Sequence, residues 1–318
     1  MNADAPKPTA VVLGPEEQRL LRLATYASVA TAGFLVLLKI GAWVMTDSVS
    51  LLSSLVDSLL DMAASIVMLL AVRHALVPAD REHRFGHGKA EPLAALGQAA
   101  FIAGSAFFLL FEAGQRLASP QPVQEPVIGL IVMGISIVAT LFLTQFQARV
   151  AKRSGSLAIQ ADRLHYVGDL LVNGAVIAAL LIARYLDWPL ADPIFALLIV
   201  VYILTTSFRI AREAFDMLMD RELPEEQRQK IKDLVAAEPE VLGMHDLRTR
   251  QAGPQVFIQM HIDLDARQSL ARTHAVADRL ERTIAEAFSG AEVIIHQDPR
   301  ERPEGGAAPG PVPAPSPA

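Results

Sequence analysis

The chain has 318 residues, of which 52% are hydrophobic, 19% are charged and none is cysteine, with a formal net charge of -6 and a mean hydropathy of +0.34. That hydropathy excludes an ordinary soluble domain, and the modest negative charge argues against a nucleic-acid partner. The missing thiols exclude disulfides and leave only oxygen and nitrogen to hold any metal.

The apolar residues are blocked: six runs of roughly 20 residues, the length that crosses a ~30 Å hydrocarbon core, precede residue 215. Residues 1–18 are Pro-rich and expected to be flexible, with no basic segment leading into an apolar one, so no cleavable signal peptide is expected. The first span is predicted over Leu20–Met45, and a turn at Thr46 and Asp47 leads into the second, Ser48–Val72. A polar loop, Arg73–Glu91, precedes the third span, Leu93–Leu117, which ends at the Pro-punctuated SPQPVQEP. The fourth, fifth and sixth follow at Val127–Ala148, Leu157–Ala183 and Leu190–Ile210. Arg19, Arg22, Arg73, Arg81, Arg84, Lys89, Arg149, Lys152, Arg153, Arg209, Arg212 and Arg221 all flank the spans on one side, which predicts both termini in the cytoplasm.

Beyond Asp220 the pattern is that of a small soluble domain. A helix is predicted over Pro224–Ala237, then strands over Val241–Arg250 and Gln255–Asp265 with a Gly-Pro turn between them. In the second strand Val256, Ile258, Met260, Ile262 and Leu264 alternate with Phe257, Gln259, His261 and Asp263, a period of two. A helix over Ser269–Phe288 and a strand over Ala291–Gln297 complete an α-β-β-α-β, two-layer α+β domain. The expected organisation is a flexible segment (1–18), a six-span α-helical transmembrane domain (19–215), a soluble domain (216–298) and a low-complexity, disordered tail (299–318).

Two carboxylates, Asp57 and Asp61, lie inside the second span, where each costs at least ~2.5 kcal/mol on insertion scales. They are four apart and so share a helical face, and His165 and Asp169 repeat that spacing in the fifth span. If the two helices pack side by side, three carboxylates and an imidazole can enclose a divalent cation. The competing reading pairs the acids with buried bases or places them at a membrane interface. Asp162 and Arg163, at the start of the fifth span, are expected at such an interface, and Lys39 is the nearby intramembrane base. In the loop, Asp80, His83 and His87 are spaced to gather if the segment coils, or else form a solvated polar loop. His245, His261, His274 and His296 fall on different elements of the soluble domain, so spacing does not bring them together; His296 shares a face with Asp298 if the last strand extends that far. His74 belongs to none of these groups.

The segments SVSLLSSLVDSLLD, PADREHRFGHGKAEPLAAL, ADRLHYVGDLLVNGA, HDLRTRQAGP and VIIHQDP together resemble the cation diffusion facilitator family, its bacterial zinc and iron efflux members above all. The resemblance spans about residues 20 to 299. It implies a homodimer of six-span protomers in the cytoplasmic (inner) membrane with a cytoplasmic ferredoxin-like domain, exporting divalent metal in exchange for protons; alternating access is the mechanism expected. It also implies that Asp57, Asp61, His165 and Asp169 form the transport site and Asp80, His83 and His87 a loop site. His245, His261, His296 and Asp298, with His274 as a further ligand, would form a binuclear cytoplasmic site, and Lys89 and Asp220 an ion-pair interlock. The donor set places zinc first, with cadmium, iron(II), cobalt and manganese as alternatives. The metal would be substrate and a structural or regulatory ligand, with no catalytic cofactor; lipid, divalent metal and protons would be the other partners. An enzyme is not expected, because the H-E-x-x-H of a metalloprotease is missing. A proton-coupled organic-cation exporter or a cation channel would use the same acids.

Overall fold

The computed structural model describes residues 14–47, 49–118, 127–186, 191–288 and 291–301. Most of the N-terminal segment and of the low-complexity tail, and the SPQPVQEP break, lie outside them. The chain divides into two units, Pro15–Leu218 and a second that contains Met219–Ala318.

The first unit is six long helices: α1 (Pro15–Thr46), α2 (Val49–Ala75), α3 (Ala90–Ala118), α4 (Val127–Ser154), α5 (Leu157–Leu186) and α6 (Ala191–Leu218). Their ends follow local chemistry. Pro15 opens α1 with Glu16 and Glu17 behind it, which suits the positive end of the helix dipole. Between α4 and α5 the chain reverses at Gly155, whose φ of 67° is the left-handed conformation that glycine adopts at least cost. Ser156 then caps α5, its hydroxyl accepting from the Ile159 N–H at 3.2 Å.

Five stretches, Pro15–Thr46, Ser54–Ala75, Ala90–Phe111, Ile128–Ser154 and Ile194–Leu218, are long and apolar enough to cross a membrane. The sixth helix, α5, is 30 residues long and carries Asp162, Arg163, His165 and Asp169 in its first half. Leu37, Val44, Phe108, Phe142, Val201 and Phe208 stand fully outward, an arrangement stable against lipid rather than water. Inside, the helices meet through small residues such as Ala24, Ala95, Ala99, Ala158, Ala161 and Ala214. Polar side chains join them: Ser207 Oγ donates to the Ala99 carbonyl at 2.6 Å, tying α6 to α3. Gln147 Nε2 on α4 donates to Asp162 Oδ2 on α5 at 2.6 Å. Asp162 is fully buried among the helices, its carboxylate held by that amide from the neighbouring helix.

The second unit contains α7 (Glu225–Ala236), β1 (Gly243–Ala252), β2 (Gln255–Asp265), α8 (Leu270–Ala287) and β3 (Glu292–Arg300). The sheet order is β1-β2-β3. The β1–β2 pair is antiparallel, turning at Gly253 with φ 59°. The β2–β3 pair is parallel, which requires the α8 crossover. Ile258, Met260, Ile262 and Leu264 of β2 pack against Ile231 and Val235 of α7 and Val276, Leu280 and Ile284 of α8. The alternation along β2 then turns His261 and Asp263 toward the opposite face of the sheet. Phe257 departs from the alternation: it is buried, with the Arg250 guanidinium 4.1 Å over its ring.

Candidate metal sites

Within the helical unit, α2 and α5 bring Asp61, His165 and Asp169 together, with one ligand atom from each within 4.8 Å of the others. His165 Nε2 lies 2.9 Å from Asp61 Oδ1 and 3.8 Å from Asp169 Oδ2, and the imidazole is almost wholly buried. Asp57, one turn before Asp61, lines the same cavity of about 700 Å³ but stands outside the converging trio. One turn further along α2, Ser65 Oγ and the Tyr166 hydroxyl hydrogen-bond at 2.8 Å. That contact fixes the two helices against each other beside the ligands, since Ser65 follows Asp61 by one turn and Tyr166 follows His165 by one residue. Lys39 reaches from α1 to the same polar stripe of α2, donating to Ser58 Oγ at 2.6 Å and to the Ser54 carbonyl at 3.0 Å.

The loop between α2 and α3 is coiled by its own backbone. Asp80 Oδ1 accepts from the N–H groups of His83 at 2.6 Å and Glu82 at 2.9 Å. Gly86, at φ 76°, closes a turn onto the His83 carbonyl. Asp80, His83 and His87 thereby converge, with Asp80 Oδ1 3.5 Å from His83 Nδ1 and Oδ2 3.4 Å from His87 Nε2. The hydrogen bond from the His83 backbone holds the Asp80 carboxyl below the usual carboxylate range. His74, which no spacing rule connects to the loop, sits at the end of α2 with its ring 4.5 Å from that of His87.

In the sheet domain the register aligns three histidines in one row, His245 opposite His261 and His261 opposite His296. Because β3 runs through Asp298 to Arg300, that carboxylate lies beside the row. Asp298 Oδ2 is 2.8 Å from His261 Nδ1 and 3.3 Å from His245 Nε2, and Oδ1 is 3.3 Å from His296 Nε2. The His261 hydrogen bond keeps the Asp298 carboxyl below its ordinary value. Asp263, 3.6 Å from His245 Nδ1, is a neighbour of this cluster that sequence reading missed; its signal was the alternation itself, which puts it on the His261 face. His274 is on α8, with Asp278 at 3.7 Å, and is not brought to the row. Of the expected interlock, Lys89 belongs to the helical unit, where it donates to the Leu218 carbonyl at 3.3 Å. Asp220 belongs to the other unit and accepts from Arg250 at 3.3 Å.

Membrane-length helices that bury a histidine between two carboxylates, in a chain that also carries a folded domain with exposed histidines, are the layout of a membrane protein with candidate cation ligands. Residues 25–219 match the family model described as the cation efflux transmembrane domain, and residues 223–300 that of the cation efflux protein, cytoplasmic domain. The cation-efflux pump FieF of Shewanella oneidensis is 50% identical over 279 residues, covering 88% of this chain and 94% of its own. The pump of the same name from Escherichia coli O127:H6 is 50% identical over 281 residues, covering 88% and 93%. The chain belongs to the cation diffusion facilitator family, as the five sequence segments implied. Its architecture is the expected one: a helical transmembrane domain followed by a cytoplasmic sheet-and-helix domain.

Proposed function

We propose that this cation-efflux protein exports a divalent metal, zinc first, from the cytoplasm across the inner membrane in exchange for protons, working as a homodimer. The observation that carries the reading is the convergence of Asp61, His165 and Asp169 between α2 and α5, at 2.9 and 3.8 Å from the imidazole nitrogen. Two carboxylates and one imidazole suit zinc, and also admit cadmium, iron(II), cobalt and manganese. Asp57, on the wall of the same cavity, supplies the fourth ligand when the helices adjust.

Proton exchange follows from the same atoms. A 2.9 Å contact between His165 Nε2 and Asp61 Oδ1 needs a proton between nitrogen and oxygen. A metal ion that takes those two atoms displaces that proton, and a proton returning from the other side displaces the metal. Rocking of the helices between inward- and outward-facing forms then carries metal one way and protons the other. The Ser65–Tyr166 hydrogen bond keeps α2 and α5 in register through this motion.

The loop trio and the histidine row are read as accessory metal sites. Exposed ligands on an open sheet face suit a metal shared with a second copy of the chain, which would tighten the dimer when cytoplasmic metal is high. His274 and the Lys89–Asp220 pair remain further contributors in this reading, and both termini are cytoplasmic. The test is uptake into proteoliposomes of zinc, iron(II), manganese and cadmium under an imposed pH gradient. Metal-dependent proton movement in the wild type that vanishes in Asp61→Ala supports the antiporter. Metal flux indifferent to Asp61 and His165, or proton leak without metal, sinks it.

A further inference from the structure

The loop cluster has a further histidine beside it, His74, whose ring touches that of His87 while its nitrogens stand outside the converging trio, as Asp57 stands outside the trio between α2 and α5. His74 occupies the last turn of α2, and the turn that follows closes with the Val77 N–H donating to the His74 carbonyl at 3.0 Å. That turn aims the Val77 carbonyl at His87 Nδ1, 3.3 Å away. A carbonyl only accepts, so Nδ1 carries the proton and Nε2 presents its lone pair, on the side where Asp80 Oδ2 lies at 3.4 Å. The His87 ring is thus oriented by the backbone, the usual way a metal-ligating histidine is held. His83 packs against it at 4.5 Å, and His74 packs against it at 4.5 Å with the planes at 65°. Interaction with the helix dipole alone would favour a histidine at this helix end, but it demands no contact with His87.

We propose that His74 is the fourth ligand of the loop site, so that a divalent cation there is held by an Asp80 oxygen and by nitrogens of His74, His83 and His87. The inference rests on the reading of the loop trio as a metal site. Four protein ligands close a tetrahedron. A cation held there ties the end of α2 to the start of α3, where the Ala90 N–H already donates to the His87 carbonyl at 2.9 Å.

The experiment uses the full-length protein loaded with cobalt(II), whose visible absorption reports coordination geometry. The spectrum of wild type minus that of His83→Ala isolates the loop site and should show a tetrahedral band. His74→Ala should lose most of that band and bind cobalt at the loop roughly tenfold or more weakly, as loss of a ligand costs at least what loss of an outer partner does. His74 is solvent-exposed, so the variant should fold. His74→Phe keeps a flat ring without a donor and should match the alanine variant. No band in the wild-type minus His83→Ala difference overturns the loop reading and this inference together. A normal band that His74→Ala leaves intact, or that His74→Phe preserves, overturns the fourth ligand alone.

Discussion

A histidine–aspartate pair at hydrogen-bond distance recurs in this molecule in opposite surroundings. His165 meets Asp61 at 2.9 Å with 8% of its side chain exposed, and His261 meets Asp298 at 2.8 Å with 36% exposed. Distance and chemistry are nearly equal; access to water is not. In the helical bundle the imidazole is nearly shut off from water, so under the proposed function a cation there would depend on a few protein atoms and suffer when one is lost. On the open face of the sheet water could fill a vacated position, so under the proposed function occupancy there would be graded with metal concentration.

The largest effect that tests this contrast is on transport. Asp61→Ala should reduce zinc uptake into proteoliposomes by roughly 100-fold or more, since a ligand rather than an outer partner is removed. An equal loss in His261→Ala would erase the distinction between the two clusters. Next in size is the scaffold of the histidine row: Ile262 is fully buried between sheet and helices, and Ile262→Ala should cost about 2–5 kcal/mol of domain stability in denaturant unfolding. An unchanged midpoint would mean that the row does not depend on the core beneath it.

A smaller effect is expected from the buried amide that holds Asp162. Gln147→Leu leaves that carboxylate without its 2.6 Å donor and should lower stability in detergent by ~1–3 kcal/mol, read from thermal unfolding. An exposed polar contact would show nothing. His261→Ala should then weaken zinc binding to the cytoplasmic domain by about tenfold, while leaving the maximal transport rate intact. The smallest effect is on acid stability. The Asp298 carboxyl is held below its ordinary value by His261, so its contribution is fully present above the unfolded value of ~3.9 and fades as pH falls through the lower folded value. Urea midpoints should show Asp298→Asn converging with wild type below about pH 4. A difference that grows on acidification would reverse the sign.

Much of this was legible in the sequence because it is local. Helical periodicity puts Asp57 with Asp61 and His165 with Asp169, and strand periodicity puts Ile258, Met260, Ile262 and Leu264 on one face. Caps and breakers mark the ends: Pro15 opens α1, and Gly155 with Ser156 separates α4 from α5. These features need only the chain's own repeat, 3.6 residues or two, and no knowledge of what lies across from it.

What the tertiary structure decided are the relations between elements. Sequence spacing treated Asp57 and Asp61 as equivalent, yet the packing of α2 on α5 selects Asp61 to meet His165. It left His245, His261 and His296 unconnected, yet strand register aligns them in one row, because pairing is set by contacts between segments far apart in the chain. Asp162 showed no partner in the sequence, because no sequence rule announces that Gln147, 15 residues away on another helix, will donate to it. His74 belonged to no motif until the end of α2 and the turn at Val77 set it against His87. The sequence carries the identity of every side chain in these clusters; only the crossing of helices and the pairing of strands bring donors from different segments within reach of one another.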